Sequence, residues 1–240
     1  MADPRIAFLD ANVLRGQLTT DIMLSLADNK LYEPQWSAEV LDEVKRNRPA
    51  GVTAERADAR FAQMAKAFPE ALVADYQHLM PEMQADEKDK HVLAAAVRSE
   101  ADVLVTENTR DFDPPTSGPH AMKVERTSEF LNQMLEEHPD KVVGAMQKMV
   151  DRNRRAPQTM PELIDKMADQ QDLKGFAHTL NSIVPPEKQG SHPYLQVTQA
   201  AKVALDGLPS ASKAVSQPVA APEARKTGSD GPGKSTDKEV

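Results

Sequence analysis

Carboxylates close four short segments in the first half of this chain. Asp10 and Asn12 follow the apolar run Ile6–Leu9, and Glu39 and Glu43 follow Ser37. Asp86 and Asp89 precede Val92-Leu93-Ala94, while Asn108 and Asp111 follow Val103-Leu104-Val105-Thr106. An acid at the mouth of a buried strand is costly to fold around unless something cationic meets it. A hard divalent ion is the usual partner, because Mg²⁺ and Mn²⁺ prefer oxygen from Asp, Glu, Asn and water. Four such positions, each at an element boundary, point to a carboxylate-lined metal centre. The chain has no cysteine, its histidines are scattered and no Ser-His-Asp spacing stands out. Thiolate chemistry is therefore excluded, and a zinc site is not expected.

The elements that must position these acids are short strands alternating with helices. Ile6–Leu9 reads as a buried strand that Asp10 leaves. Thr19 or Thr20 caps a helix carrying Ile22, Met23, Leu26 and Ala27, and a short strand is expected near Leu31–Tyr32. Ser37 caps a helix to about Asn47, on which Glu39 and Glu43, four apart, share a face. Thr53 opens the next helix. Ala71–Val73, Val103–Val105 and Met122–Val124 read as strands, and Asp89–Glu100 and Ser128–Glu137 as helices. Strands of this kind pair in parallel under helices on both faces, and ligands then bind beyond the strands' carboxyl ends. Asp10 and the Asn108–Asp111 loop fall there. Asp86 and Asp89 also suit helix capping, and His91 reads as a hydrogen-bonded core or rim histidine. Thr106 and Asn12 are placed to fix a carboxylate rotamer.

Beyond residue 138 the pattern becomes purely helical. Val142, Val143, Met146, Met149 and Val150 share one face, Thr159-Met-Pro-Glu162 opens a second helix, and Leu173–Leu180 forms a third. After Asp206, Pro, Gly, Ser, Ala and charge without periodicity predict a disordered tail.

Composition bounds the function classes. The 240 residues carry a net charge of −8 and 40% hydrophobic residues, with a mean hydropathy of −0.56. That balance argues against a general nucleic-acid coating protein, since phosphate binding uses a basic face. A local basic rim remains available in Lys45, Arg46, Lys88 and Arg110 beside the acids. No apolar run approaches the roughly 18 residues of a membrane span, and Met1-Ala-Asp-Pro lacks a basic leader, so a cytoplasmic protein without membrane contact is expected. No glycine-rich phosphate loop is present. A haloacid-dehalogenase phosphatase needs a second acid two residues after the first, where this chain has Asn12.

The ordered set resembles a PIN domain. It consists of strand-Asp10-Ala-Asn12-Val-Leu, Ser37 with Glu43 six residues on, Asp89-Lys-His91-Val-Leu-Ala-Ala-Ala, and Leu-Val-Thr106-Glu-Asn108-Thr-Arg-Asp111-Phe112. The resemblance covers roughly residues 5–135 and is to the VapC-type toxins of bacterial toxin–antitoxin pairs. The stretch 138–184 is similar to an extension in one branch of these toxins. The resemblance implies a three-layer α/β/α sandwich with a short, mainly parallel central sheet plus a small helical extension. Domain limits follow: a PIN-like domain over 1–137, the extension over 138–184, a linker over 185–205 with a possible short helix, and a disordered tail over 206–240.

It also implies an endoribonuclease that uses Mg²⁺ or Mn²⁺ and leaves a 5′-phosphate, with Asp10, Glu43, Asp89 and Asp111 as catalytic and metal-ligating acids. Glu39 competes with Glu43, and Asn12, Glu39, Asp86, Thr106 and Asn108 take supporting roles. Many relatives carry Asp where this chain has Asn108. The implied partners are an RNA substrate, a cognate DNA-binding antitoxin and a second copy of the chain. A PIN-like scaffold that binds RNA or protein without cutting, or a Mg²⁺-dependent phosphatase of another α/β fold, is the alternative.

Overall fold

A computed structural model of the chain describes residues 4–196. The expected tail, 206–240, and the end of the linker, 197–205, lie outside the described residues. A sheet in the order β3-β2-β1-β4-β5 forms the centre, built from β1 (Ile6–Leu9), β2 (Glu33–Ser37), β3 (Leu72–Val73), β4 (Val103–Val105) and β5 (Lys123–Glu125). Every strand pairing in it is parallel. The expectation of a parallel α/β sheet is therefore met. The chain builds outward from β1 to β3 on one side, then crosses back to lay β4 and β5 on the other. This places the topological switch point between β1 and β4, where Asp10 and Thr106 leave their strands.

Two expectations shift. The strand expected at Leu31–Tyr32 is β2, at Glu33–Ser37, and it contains Pro34. Proline is normally excluded from central strands because it lacks an N–H. Here the N–H of Glu33 bonds back toward the β1 side (Arg5 O, 2.9 Å), and that of Trp36 bonds toward β3 (Ala71 O, 2.9 Å). By the two-residue alternation Pro34 faces the β3 flank, which β3 reaches only at Trp36 and Ser37. Pro34 therefore sits at a local edge. Likewise, neither Thr19 nor Thr20 caps a helix. After the five-residue α1 (Ala11–Arg15), α2 (Gln17–Asp28) starts at Gly16, and both threonines are buried inside it. Thr20 turns its hydroxyl back to the Gly16 carbonyl (2.7 Å).

Helix α3 (Ala38–Arg46) is capped by the Ser37 hydroxyl accepting from the Val40 N–H, and α4 (Ala54–Ala67) by Thr53. On α4, Ala57 and Met64 are buried, whereas Ala65 is exposed. Helix α5 (Lys90–Arg98) buries Val92 through Val97 under the sheet. Helix α6 (Thr127–Glu137) places Phe130 edge-on to Tyr32, with ring centroids 5.0 Å apart. Tyr32 in turn donates to the Met23 carbonyl of α2 (3.0 Å), and its burial pushes the phenol's pKa far up.

The C-terminal helices α7 (Pro139–Arg152), α8 (Met160–Ala168) and α9 (Lys174–Ile183) pack on α2 and α6. Their buried residues, among them Val142, Met146, Leu163, Ile164 and Phe176, belong to the same hydrophobic cluster as the sheet. Among the described residues no helix is long and apolar enough to cross a membrane.

Candidate metal centre

Asp10 leaves β1 and caps α1 at once, its Oδ1 accepting from the Ala11 N–H at 2.6 Å. Its Oδ2 accepts from the Thr106 hydroxyl (2.7 Å) and from Asn12 Nδ2 (2.6 Å). The Thr106 oxygen also accepts from Asn12 Nδ2 (2.9 Å) and from the Asn108 N–H (3.1 Å), and Asn12 Oδ1 accepts from the Glu107 N–H (3.1 Å). The ends of β1 and β4 are thus locked together around one carboxylate. Three of its roughly four acceptor positions are filled, which leaves room for a cation. Asp10 is only 6% exposed. Burial pushes its pKa above the usual carboxylate range, with Glu43 and Asp89 adding to the rise and the bonds from Thr106 and Ala11 opposing it.

Asp10, Glu39, Glu43 and Asp89 face one open cavity of about 1390 Å³. Asp89 stands at the start of α5 yet makes no capping bond with its side chain, so it is free for another role. Its Oδ2 is buried without a hydrogen-bond partner, with Lys88 Nζ 3.5 Å away as an ion pair. Desolvation raises the Asp89 pKa. Lys88 opposes that rise, and Asp111 and Asp86 add to it. Asp86, Asp89 and Asp111 each offer a carboxylate oxygen within 4.8 Å of the others. The Asp86 N–H bonds the Asp111 carbonyl (3.2 Å), and a bridge between Ala85 and Phe112 holds the two segments side by side. Two acidic groupings therefore meet at Asp89: Asp10 with Glu43 on one side, and Asp86 with Asp111 on the other. Lys88, 3.9 Å from Asp111, spans part of the second.

Residues 7–110 match the family model described as PIN domain, and residues 128–182 match the VapC50 C-terminal domain model. Residues 7–110 form a PIN domain. The curated "Putative ribonuclease VapC50" of Mycobacterium tuberculosis is 33% identical over 100 residues. That match covers 42% of this chain and 59% of the relative's length, which is less than two thirds of that curated protein. No solved structure matches significantly.

In this PIN domain the residues singled out from sequence separate into those facing the cavity and those behind it. Asp10, Asn12, Glu39, Glu43, Lys88, Asp89 and Asn108 line it, and so do Lys45 and Arg46. Asp86, Asp111 and Arg110 do not line it, and Asp111 reaches the others only through Asp89. Lys45 is already paired with Asp58 at 2.7 Å, whereas Arg46 has no ion pair among the described residues. His91 stands between the two glutamates of α3, its Nδ1 3.6 Å from Glu39 and its Nε2 4.0 Å from Glu43. Those distances exceed a hydrogen bond, and Nδ1 is buried without one, so the expected hydrogen-bonded histidine is a spacer between carboxylates.

Residues that sequence reasoning missed come mainly from far along the chain. Gln170, Gln171 and Asp172, between α8 and α9, wall the cavity opposite α3. The buried Thr19 hydroxyl anchors that loop by donating to Asp172 (2.7 Å). No local pattern announces a contact across 153 residues. Glu107 also lines the cavity, and its carboxylate accepts from the Thr127 N–H at 3.1 Å, so the residue after Thr106 ties β4 to α6.

Proposed function

We propose that the chain is a divalent-metal-dependent endoribonuclease that hydrolyses RNA phosphodiesters and acts as the toxin of a toxin–antitoxin pair. The observation that carries this reading is the convergence of the buried Asp10 and the partly buried Glu43 and Asp89, from three separate segments, on one cavity. The donor set is all hard oxygen, and Asp89 Oδ2, which has no hydrogen bond and only Lys88 at 3.5 Å, is the kind of atom that a bound ion would satisfy. Asp10, Glu43 and Asp89 would hold the metal, with Asp111 and Asp86 reaching Asp89 from behind. When bound, Mg²⁺ or Mn²⁺ supplies charge neutralisation and acidifies water.

The remaining work falls to the chain's own residues. Thr106 and Asn12 hold the Asp10 carboxylate in one orientation. Lys88 and Arg46 offer positive charge to phosphate oxygens at the cavity wall. The similarity to a relative named as a ribonuclease supports RNA as the substrate, and a protein antitoxin that covers the cavity, itself DNA-binding, is the partner that reading entails. A dimer of the chain belongs to the same reading, as does a cytoplasmic location.

Incubation of total RNA with purified protein in Mg²⁺, Mn²⁺ or EDTA tests it. Discrete products are expected with metal and none in EDTA. Asp89→Ala is expected to lower the rate on the order of a thousandfold or more, as loss of a central catalytic group does. Equal cleavage by this variant would refute the reading.

The supporting shell gives a second expectation. Thr106→Val keeps the shape of the side chain but removes the hydroxyl that orients Asp10. It is expected to weaken Mn²⁺ binding about 10–100-fold, as losses behind a metal ligand do. Calorimetric titration of wild type and variant with Mn²⁺ reads this directly, and an unchanged affinity would remove Asp10 from the ligand set.

A further inference from the structure

A second cavity, of about 680 Å³, opens between α2 and the loop from α7 to α8. It shares Gly16 and Gln170 with the acidic cavity, so the two lie side by side as neighbouring parts of one trough.

The charge changes along the trough. The acidic cavity is lined by more carboxylates than cations, whereas Arg154, Arg155 and Lys166 face Asp21 and Asp169 in the second. Lys166 is committed to the Ala156 carbonyl (2.7 Å), and Asp169 is held by His192 (3.0 Å). Arg154 and Arg155 are exposed and have no hydrogen bond or ion pair among the described residues. Two uncommitted guanidinium groups side by side, in a chain of net charge −8, are free to bind an anionic ligand.

We infer that this second cavity is the substrate-strand subsite of the nuclease: Arg154 and Arg155 grip backbone phosphates of a single RNA strand whose scissile phosphate lies at the acidic centre. The inference rests on the endoribonuclease reading. A strand seated at Asp10 and Asp89 that leaves past Gly16 and Gln170 enters the cavity that the two arginines line. Gln170 stands at the crossing, where its amide can meet a base edge or a ribose hydroxyl. The helical extension thereby serves as half of the RNA-binding surface and sets the length of strand that binds well. Continuity with the reacting site favours RNA here over an acidic segment of a protein partner, which would need no such path.

The test compares wild type with Arg154→Ala/Arg155→Ala and with Arg154→Lys/Arg155→Lys. Binding of fluorescent mixed-sequence single-stranded RNA is measured in EDTA across a salt series, with strands of about twenty and about four nucleotides that do and do not span the trough. The alanine pair is expected to bind the long strand roughly tenfold more weakly and to flatten its salt dependence by about 1.4, at about 0.7 per phosphate contact. The short strand and the thermal midpoint should be unaffected, and the lysine pair should restore most of the salt slope. Equal affinity and equal slope in the alanine pair would overturn the inference and leave an acidic protein segment as the occupant. If wild type neither binds nor cuts RNA, the endoribonuclease reading itself fails, and that outcome is distinct from the first.

Discussion

Asp10→Asn is expected to lower RNA cleavage on the order of a thousandfold or more and, in the same protein, to weaken the dependence of metal-free stability on pH. Both effects follow from one buried charge. Asp10 and Asp89 have pKa values raised above the usual carboxylate range, chiefly by desolvation. A carboxyl with a raised folded pKa binds its proton more tightly in the native state than in the unfolded one. Stability is then greatest below the unfolded value of about 3.9 and falls as pH rises toward the folded value. At neutral pH that penalty is present, offset in part at Asp89 by Lys88, until a further cation meets the carboxylates.

Asparagine at position 10 removes the charge but keeps the shape, and it forgoes the bond from Asn12, worth about 1 kcal/mol. Thermal melts in EDTA between pH 4 and pH 8 are the measurement. The midpoint of the variant relative to wild type should rise with pH, and added Mg²⁺ should stabilise wild type more than the variant. A difference that stays flat with pH would mean that Asp10 is not a buried charge awaiting a cation.

A chain ending at Glu137 is expected to fail as a folded domain, although the sequence alone suggests that it could stand by itself. Helix α6 buries Phe130, Leu131, Met134 and Leu135, and its principal packing neighbours are α7 and α9. Helix α2 also leans on α7. Cutting at residue 137 uncovers these faces, and each large side chain exposed costs about 1.5–3 kcal/mol against a net domain stability of only about 5–15 kcal/mol. The truncated chain should aggregate or bind a hydrophobic dye without a cooperative melt. A chain ending at Gln196, which keeps every described contact, should melt cooperatively and retain cleavage. A monodisperse, cooperatively melting 1–137 fragment would show that the extension is an accessory unit.

The sheet and the four acidic places were legible because their signals are local. Ile6–Leu9 and Val103–Val105 are unbroken apolar runs, and Ser37 and Thr53 cap helices within three residues of themselves. Strand β2 escaped because Glu-Pro-Gln-Trp lacks both the alternation and the composition of a strand, and only the short reach of β3 makes Pro34 tolerable there. Thr19 and Thr20 read as caps because a hydroxyl before an apolar run usually is one. Their real partners, the Asp172 carboxylate and the Gly16 carbonyl, are set by tertiary packing and by a helix that starts earlier. Asp10, Glu43 and Asp89 line one cavity. The arrangement of Asp86 and Asp111 behind Asp89 depends on the pairing of Ala85 with Phe112, which no helix or strand pattern encodes.

Pro34 has a bearing on how this protein behaves in a crowd. β3 is two residues long, so much of the outer flank of β2 has no strand beside it. Pro34 itself is buried, but a flank without a partner strand is where a strand from a second molecule could add itself and begin a growing aggregate if that cover is lost. At the position whose donor would point outward the chain carries a ring with no hydrogen to offer, and an incoming strand meets a gap in the ladder. The residue that made the strand hard to recognise is also the one that keeps its edge from being copied.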